Sequence, residues 1–131
     1  MVRRIWTVVV DALQHEAKLR LLYQRHIDQL LLCTIYGVCK IMDHERTFKE
    51  IVASYCAMSH HREEVYQRVY VGDRMPDGQV GSSVVDIIAF YNLYFLPAVT
   101  PFLKAVQRMV SFRAILFAIL TNVLIWRDLE L

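Results

Sequence analysis

Between Ile27 and Cys39, apolar side chains fall on nearly every side of a helical axis: Ile27, Leu30, Leu31, Leu32, Ile35, Val38 and Cys39. A helix that is apolar on several sides has to be surrounded by other elements rather than laid on a surface. The spacing therefore predicts a central helix over His26 to Ile41. Its surroundings must come from the same chain, and 131 residues suffice for one compact domain with a modest core.

The neighbours read as helices too. Ile5, Trp6, Val9, Leu13 and Ala17 recur at helical spacing, which predicts an amphipathic helix from Arg3 to about Leu22, with a short break over Tyr23 to Arg25. Thr47-Phe48-Lys49-Glu50 has the pattern of a capping box and opens a helix reaching about Met58, with Ile51, Val52 and Tyr55 facing inward. A helical turn follows over Glu63 to Val69. Gly72 to Ser83, containing Pro76-Asp77-Gly78, reads as a loop. Ser83 with Asp86 three residues on is a weaker capping signal. Val84, Ile87, Ile88, Tyr91 and Phe95 then form one helical stripe. Pro97 and Pro101 are expected to bend or interrupt the chain before a last family-like helix from Phe102 to Met109. The expected class is all-α, with no sheet.

Ala114 to Trp126 is almost purely apolar and lies between Arg113 and Arg127. A bilayer span needs about 20 apolar residues, and this run is shorter. It is expected to be helical and to pack back on the domain, so membrane association is not expected.

Composition removes several classes of function. Hydrophobic residues make up 56% and charged residues 21%, too apolar for a disordered chain. The net charge of +2 comes without a basic stripe, so direct nucleic-acid binding is not expected. Cys33 and Cys39, six apart, fall on different faces of one helix and read as reduced, buried thiols. His15-Glu16 begins like a zinc-protease helix, but Leu19 stands where the second histidine must be. Cys56, His60 and His61 lack a partner pair for a zinc site. Gly81-Ser82-Ser83 lacks the second glycine of a nucleophile elbow. No catalytic residue, metal or cofactor is expected. On spacing alone, Tyr36 and Tyr91 are ordinary core tyrosines whose hydroxyls reach the surface.

Three segments carry a resemblance. The run from Arg25 to Lys40, with His26-Ile27-Asp28-Gln29 and Tyr36-Gly37-Val38-Cys39-Lys40, resembles the central helix of the retinoblastoma family's B domain. Thr47-Phe48-Lys49-Glu50-Ile51-Val52 resembles the helix after it. Val85 to Pro97, with Phe90-Tyr91-Asn92, resembles the closing helix and is nearest to plant-type members. Order and spacing agree over roughly Arg4 to Val106.

The resemblance implies a cyclin-like helical bundle over residues 1–109, followed by an apolar tail over 110–131. It implies a non-enzymatic, nuclear module of transcriptional corepression and cell-cycle control. Such a module binds Leu-x-Cys-x-Glu motifs of chromatin modifiers and viral oncoproteins. Transcription factors are expected only with the A half of the pocket present. The groove residues carried over are Tyr36, Lys40, Phe48, Lys49, Tyr91 and Asn92. Ile41 and Leu96 are expected to line the pockets for the motif's Leu and Cys. An extended peptide needs partners for its backbone groups, and Tyr36, Lys40, Tyr91 and Asn92 can supply them. The amides of Phe48 and Lys49, opening a capped helix, suit the motif's carboxylate, and Arg46 and Lys49 favour acidic flanks. The family's B domain opens with a helix preceding the one that holds Trp6. The chain begins after it, so exposed apolar surface is expected.

Overall fold

The computed structural model describes the chain except Glu45, residues 75–79 and residues 130–131; side chains of residues 73–74, 80–83 and 123–129 are also outside the description. The helices are α1 (Val2–Gln14), α2 (Glu16–Leu19), α3 (Ile27–Ile41), α4 (Phe48–Cys56), α5 (Glu63–Gln67), α6 (Ile87–Phe90) and α7 (Leu96–Leu129). A π-helical turn over Tyr91–Phe95 joins α6 to α7. Two strands, β1 (Val69–Arg74) and β2 (Val80–Val85), form one antiparallel pair.

The central helix is where the apolar run places it. Leu30, Leu32, Cys33, Thr34, Val38 and Cys39 of α3 are buried, and α1, α4, α5 and α7 pack around it. Its start is fixed by a reciprocal cap that the sequence reading did not single out. The Asp28 N–H donates to His26 Nδ1 at 3.0 Å, and the His26 N–H donates to Gln29 Oε1 at 3.1 Å. The core continues through Val8 and Ala12 of α1, Phe90, Phe95, Val99, Leu103 and Val106.

The expected single helix from Arg3 to Leu22 is broken at His15 and ends at Leu19, with Arg20 in the left-handed region at φ 53°. The cause is tertiary. The Glu16 carboxylate accepts from the Leu21 and Leu22 amides at 3.0 and 2.7 Å and folds the chain back on itself. The Arg25 guanidinium then donates to the carbonyls of Tyr70, Arg20 and Leu21 and lies over the Phe90 ring. Three carbonyls held by one side chain replace the missing helical turn.

The sheet-free expectation is corrected by the hairpin, which takes up most of the segment read as a loop. Val69 pairs with Val85 and Tyr70 with Val84, with irregular register beyond. Val69-Tyr70-Val71 and Val84-Val85 are β-branched and aromatic, and Val69 and Val71 bury themselves against the core. Pro76-Asp77-Gly78 lies outside the described residues. Ser83 is in β2; the cap is Asp86, whose carboxylate accepts from the Ala89 N–H at 2.8 Å.

Pro97 and Pro101 do not interrupt α7. Both are exposed, so carbonyls they leave without an N–H partner face water. Pro97 also follows directly on the π turn, where the ladder already changes register.

The end of α7 corrects the last expectation. It is helical, but it does not pack back. Phe112, Ile115, Leu116, Phe117, Ile119 and Leu120 are all exposed, Phe117 by 72%. No Gly or Pro separates Phe102 from Leu129, so no turn can redirect the helix. At 34 residues α7 runs about 51 Å. No helix among the described residues is long and apolar enough to cross a membrane. The exposed apolar surface expected from the missing preceding helix lies on α1, as a stripe of Val2, Trp6, Val10 and Leu13.

Candidate functional site

Three rings from three elements meet beside the C-terminal half of α3. Tyr36 of α3 stacks on Phe48 of α4 with centroids 4.1 Å apart. Tyr91 of the π turn meets both edge-on, at 4.8 Å from Tyr36 and 5.4 Å from Phe48. Edge-to-face pairing fits the quadrupoles of aromatic rings and fixes their orientation. Phe95 stacks on the far side of Tyr91 at 5.7 Å. Lys40, one turn beyond Tyr36, holds its Nζ 5.4 Å over the Tyr36 ring.

Tyr36, Lys40, Phe48 and Tyr91 are thus brought into direct contact. Lys49 and Asn92 stand next in the chain to Phe48 and Tyr91, and both are exposed. Ile41 and Leu96 are half-buried against the core at the near ends of α3 and α7. Sequence reading missed Gly37. A Cβ there would lie 3.4 Å from Leu103 and 3.5 Å from the Tyr91 hydroxyl, so anything beyond that carbon must displace one of them. The signal was a glycine inside an otherwise apolar helical run.

The polar groups of this site are available. Among the described residues no hydrogen bond engages the Tyr91 or Tyr36 hydroxyl or the Asn92 amide. Burial, followed by the nearby Tyr36 and Cys33, pushes the Tyr91 hydroxyl up to about 12, so it is a donor at any physiological pH. At α4 the Glu50 N–H donates to Thr47 Oγ1 at 3.1 Å. The expected reciprocal bond is not made; the Glu50 carboxylate stands 3.8 Å from Arg46 instead. The amides of Phe48 and Lys49 have no acceptor within α4, and their dipole end is open to an anion.

A second concavity of about 420 Å³ lies between α3 and α4, lined by Leu31, Leu32, Ile35, Ile51 and Met58, among others. It shares no residue with the aromatic cluster. Its rim is already satisfied, since Asp28 accepts from the Tyr55 hydroxyl at 2.9 Å. Cys56 is engaged with the Tyr66 hydroxyl at 3.4 Å rather than with His60. No group of three or more His, Cys, Asp or Glu among the described residues is placed to hold a metal ion.

A central helix surrounded by helices, with an aromatic-lined groove on one side, defines an all-α bundle of the cyclin-like class. The chain belongs to the family described as retinoblastoma-associated protein B domain, which matches residues 1–100. It is 41% identical over 105 residues to retinoblastoma-related protein 1 of Triticum aestivum, covering 79% of this chain and 11% of the relative. Retinoblastoma-related protein 3 of Zea mays is 40% identical over 108 residues, covering 81% and 10%. The retinoblastoma-related protein of Pilosella piloselloides is 46% identical over 85 residues, covering 63% and 8%. The chain therefore spans only a small part of the length of these relatives.

Proposed function

We propose that the chain is the peptide-binding part of a retinoblastoma-type regulator, acting in the nucleus without enzymatic chemistry. Residues 1–109 form the binding domain, and residues 110–131 are a tail with no part in binding. The ligand is an extended Leu-x-Cys-x-Glu segment of a partner protein, such as a chromatin modifier or a viral oncoprotein. Transcription-factor binding requires the A half in addition.

The observation that carries this reading is the set of unpaired polar groups around the Tyr36–Phe48–Tyr91 cluster. An extended segment brings backbone N–H and C=O groups at regular intervals, and each needs a partner when water is displaced. The Tyr91 hydroxyl donates, and the Asn92 amide both donates and accepts. The motif's carboxylate meets the free amides of Phe48 and Lys49, where the helix dipole adds to the hydrogen bonds. Ile41 and Leu96 offer apolar contacts for its Leu and Cys, and Lys40, Arg46 and Lys49 favour acidic flanks.

The test is a titration of the purified chain with a Leu-x-Cys-x-Glu peptide and with the same peptide carrying Gln for Glu. Saturable binding of the first, weakened in the second, is expected. Equal signals from both peptides, or none from either, would contradict the reading.

A further inference from the structure

The π turn over Tyr91–Phe95 carries an inference that rests on the groove reading above. The buried residues on this side of the chain are Ile87, Tyr91, Phe95, Val99, Leu103 and Val106. Four consecutive steps are of four residues. A regular α-helix turns about 100° per residue, so each such step overshoots a full turn by about 40° and four steps drift by about 160°. A stripe of core contacts is roughly 100° wide. A regular helix therefore cannot keep Ile87 and Leu103 both facing inward. The π turn accommodates one extra residue, which takes back about 100° and leaves a drift of about 60°.

The extra residue falls between two well-packed halves. Before it, Ile87 and Phe90 are buried; after it, Phe95, Val99, Leu103 and Val106 are buried. Leu93, inside the turn, is 51% exposed and Asn92 is exposed beside it. Without Leu93 the core steps become four, three, four, four and three, a pattern an unbroken α-helix satisfies. The core does not need the π turn. What it changes is where the residues within it point, and those include Asn92 on the groove edge.

We propose that the π turn is a positioning element for the groove: its one surplus residue aims the Asn92 amide beside the Tyr91–Tyr36–Phe48 cluster. The same four-helix packing without that residue keeps the core and misdirects the amide.

The experiment deletes Leu93 and compares four proteins: the unaltered chain, the Leu93 deletion, Asn92→Ala, and both changes together. Each is followed by thermal melting and by titration with a Leu-x-Cys-x-Glu peptide. The deletion is expected to melt cooperatively near the unaltered chain and to bind at least tenfold more weakly. In the Asn92→Ala background the deletion is expected to have little further effect, because both changes remove the same interaction. A merely structural role predicts additive losses and a lowered melting temperature. Undiminished binding by the deletion overturns the proposal, and so does a deletion variant that does not fold, since the surplus residue would then serve the core. No binding by the unaltered chain overturns the groove reading itself and the proposal with it.

Discussion

The aromatic groove and the far end of α7 both present apolar side chains to solvent, yet they are different kinds of surface. At the groove, Tyr36 is half-buried, Phe48 and Tyr91 are buried, and each ring is locked by the other two. Polar groups without partners stand around them. From Phe112 to Leu120, side chains are exposed on all sides, without a ring pair or a concavity among them. The lesson is that exposed apolar area is not by itself a site. Shape and unpaired hydrogen-bonding groups make one, because they reward one ligand over others.

If that contrast is sound, substitutions beneath the groove act on the fold, substitutions at its rim act on binding, and changes to the tail act on neither. The largest effect is expected from Cys33→Phe. Cys33 is fully buried on α3, with its thiol pushed well above the usual range by burial. Adding a phenyl group to a filled site costs typically ~1–3 kcal/mol and sometimes more, so a clearly lowered melting temperature is expected. An unchanged one would show the site to be loosely packed and the groove's support weak.

Next come the rim residues. Asn92→Ala and Tyr91→Phe each remove hydrogen bonds to an extended backbone, worth on the order of 1–3 kcal/mol of binding when a buried partner is left unpaired. Titration should show weaker binding, with thermal melting close to the unaltered chain. Tyr91→Phe keeps the ring contacts, so it separates the hydroxyl from the packing. Binding equal to the unaltered chain in both variants would remove the groove from the account.

A smaller effect is expected at alkaline pH. The Tyr91 hydroxyl sits at about 12 in the folded chain, against 10 for an ordinary tyrosine. The folded state thus holds the proton more tightly. That contribution is fully present below about pH 10 and is lost as pH rises toward 12. Spectroscopic titration of ionisation should show one tyrosine lagging the rest, and Tyr91→Phe should remove that lagging component. Tyr66, also raised to about 12 by its bond to Cys56, is separated by Cys56→Ala.

The smallest effect is expected from the tail. Removing the residues after Phe112 takes away side chains that pack on nothing in the described structure. The melting temperature should stay within a degree or two while solubility improves. A markedly lowered melting temperature would mean that the far end of α7 supports the domain after all.

These two regions also differ in how well they could be read beforehand. The groove's helices follow from period and caps: the apolar run of α3, Thr47 ahead of α4, and the stripe from Ile87 to Phe95. Local chemistry dictates those, so sequence carries them. The break at His15 depends on Glu16 and Arg25 reaching across a fold that had to form first, and no local pattern encodes it. The hairpin was legible in Val69-Tyr70-Val71 and Val84-Val85, but the turn residues between them drew the segment toward a loop. The π turn was legible in four successive four-residue core steps, a signal that looks like an ordinary helical stripe unless the drift is summed. The tail's helicity follows from its composition, whereas its direction follows from the absence of any breaker after Pro101.

The central claim is that ligand goes to the groove and not to the tail. Amide-resolved NMR of the full chain during titration with a Leu-x-Cys-x-Glu peptide tests it most directly. The account predicts shifts concentrated at Tyr36, Lys40, Phe48, Lys49, Tyr91 and Asn92, with the Phe48 and Lys49 amides among the most affected. Shifts gathered instead between Phe112 and Leu120, or around the Leu31–Ile35–Met58 cleft, would contradict it.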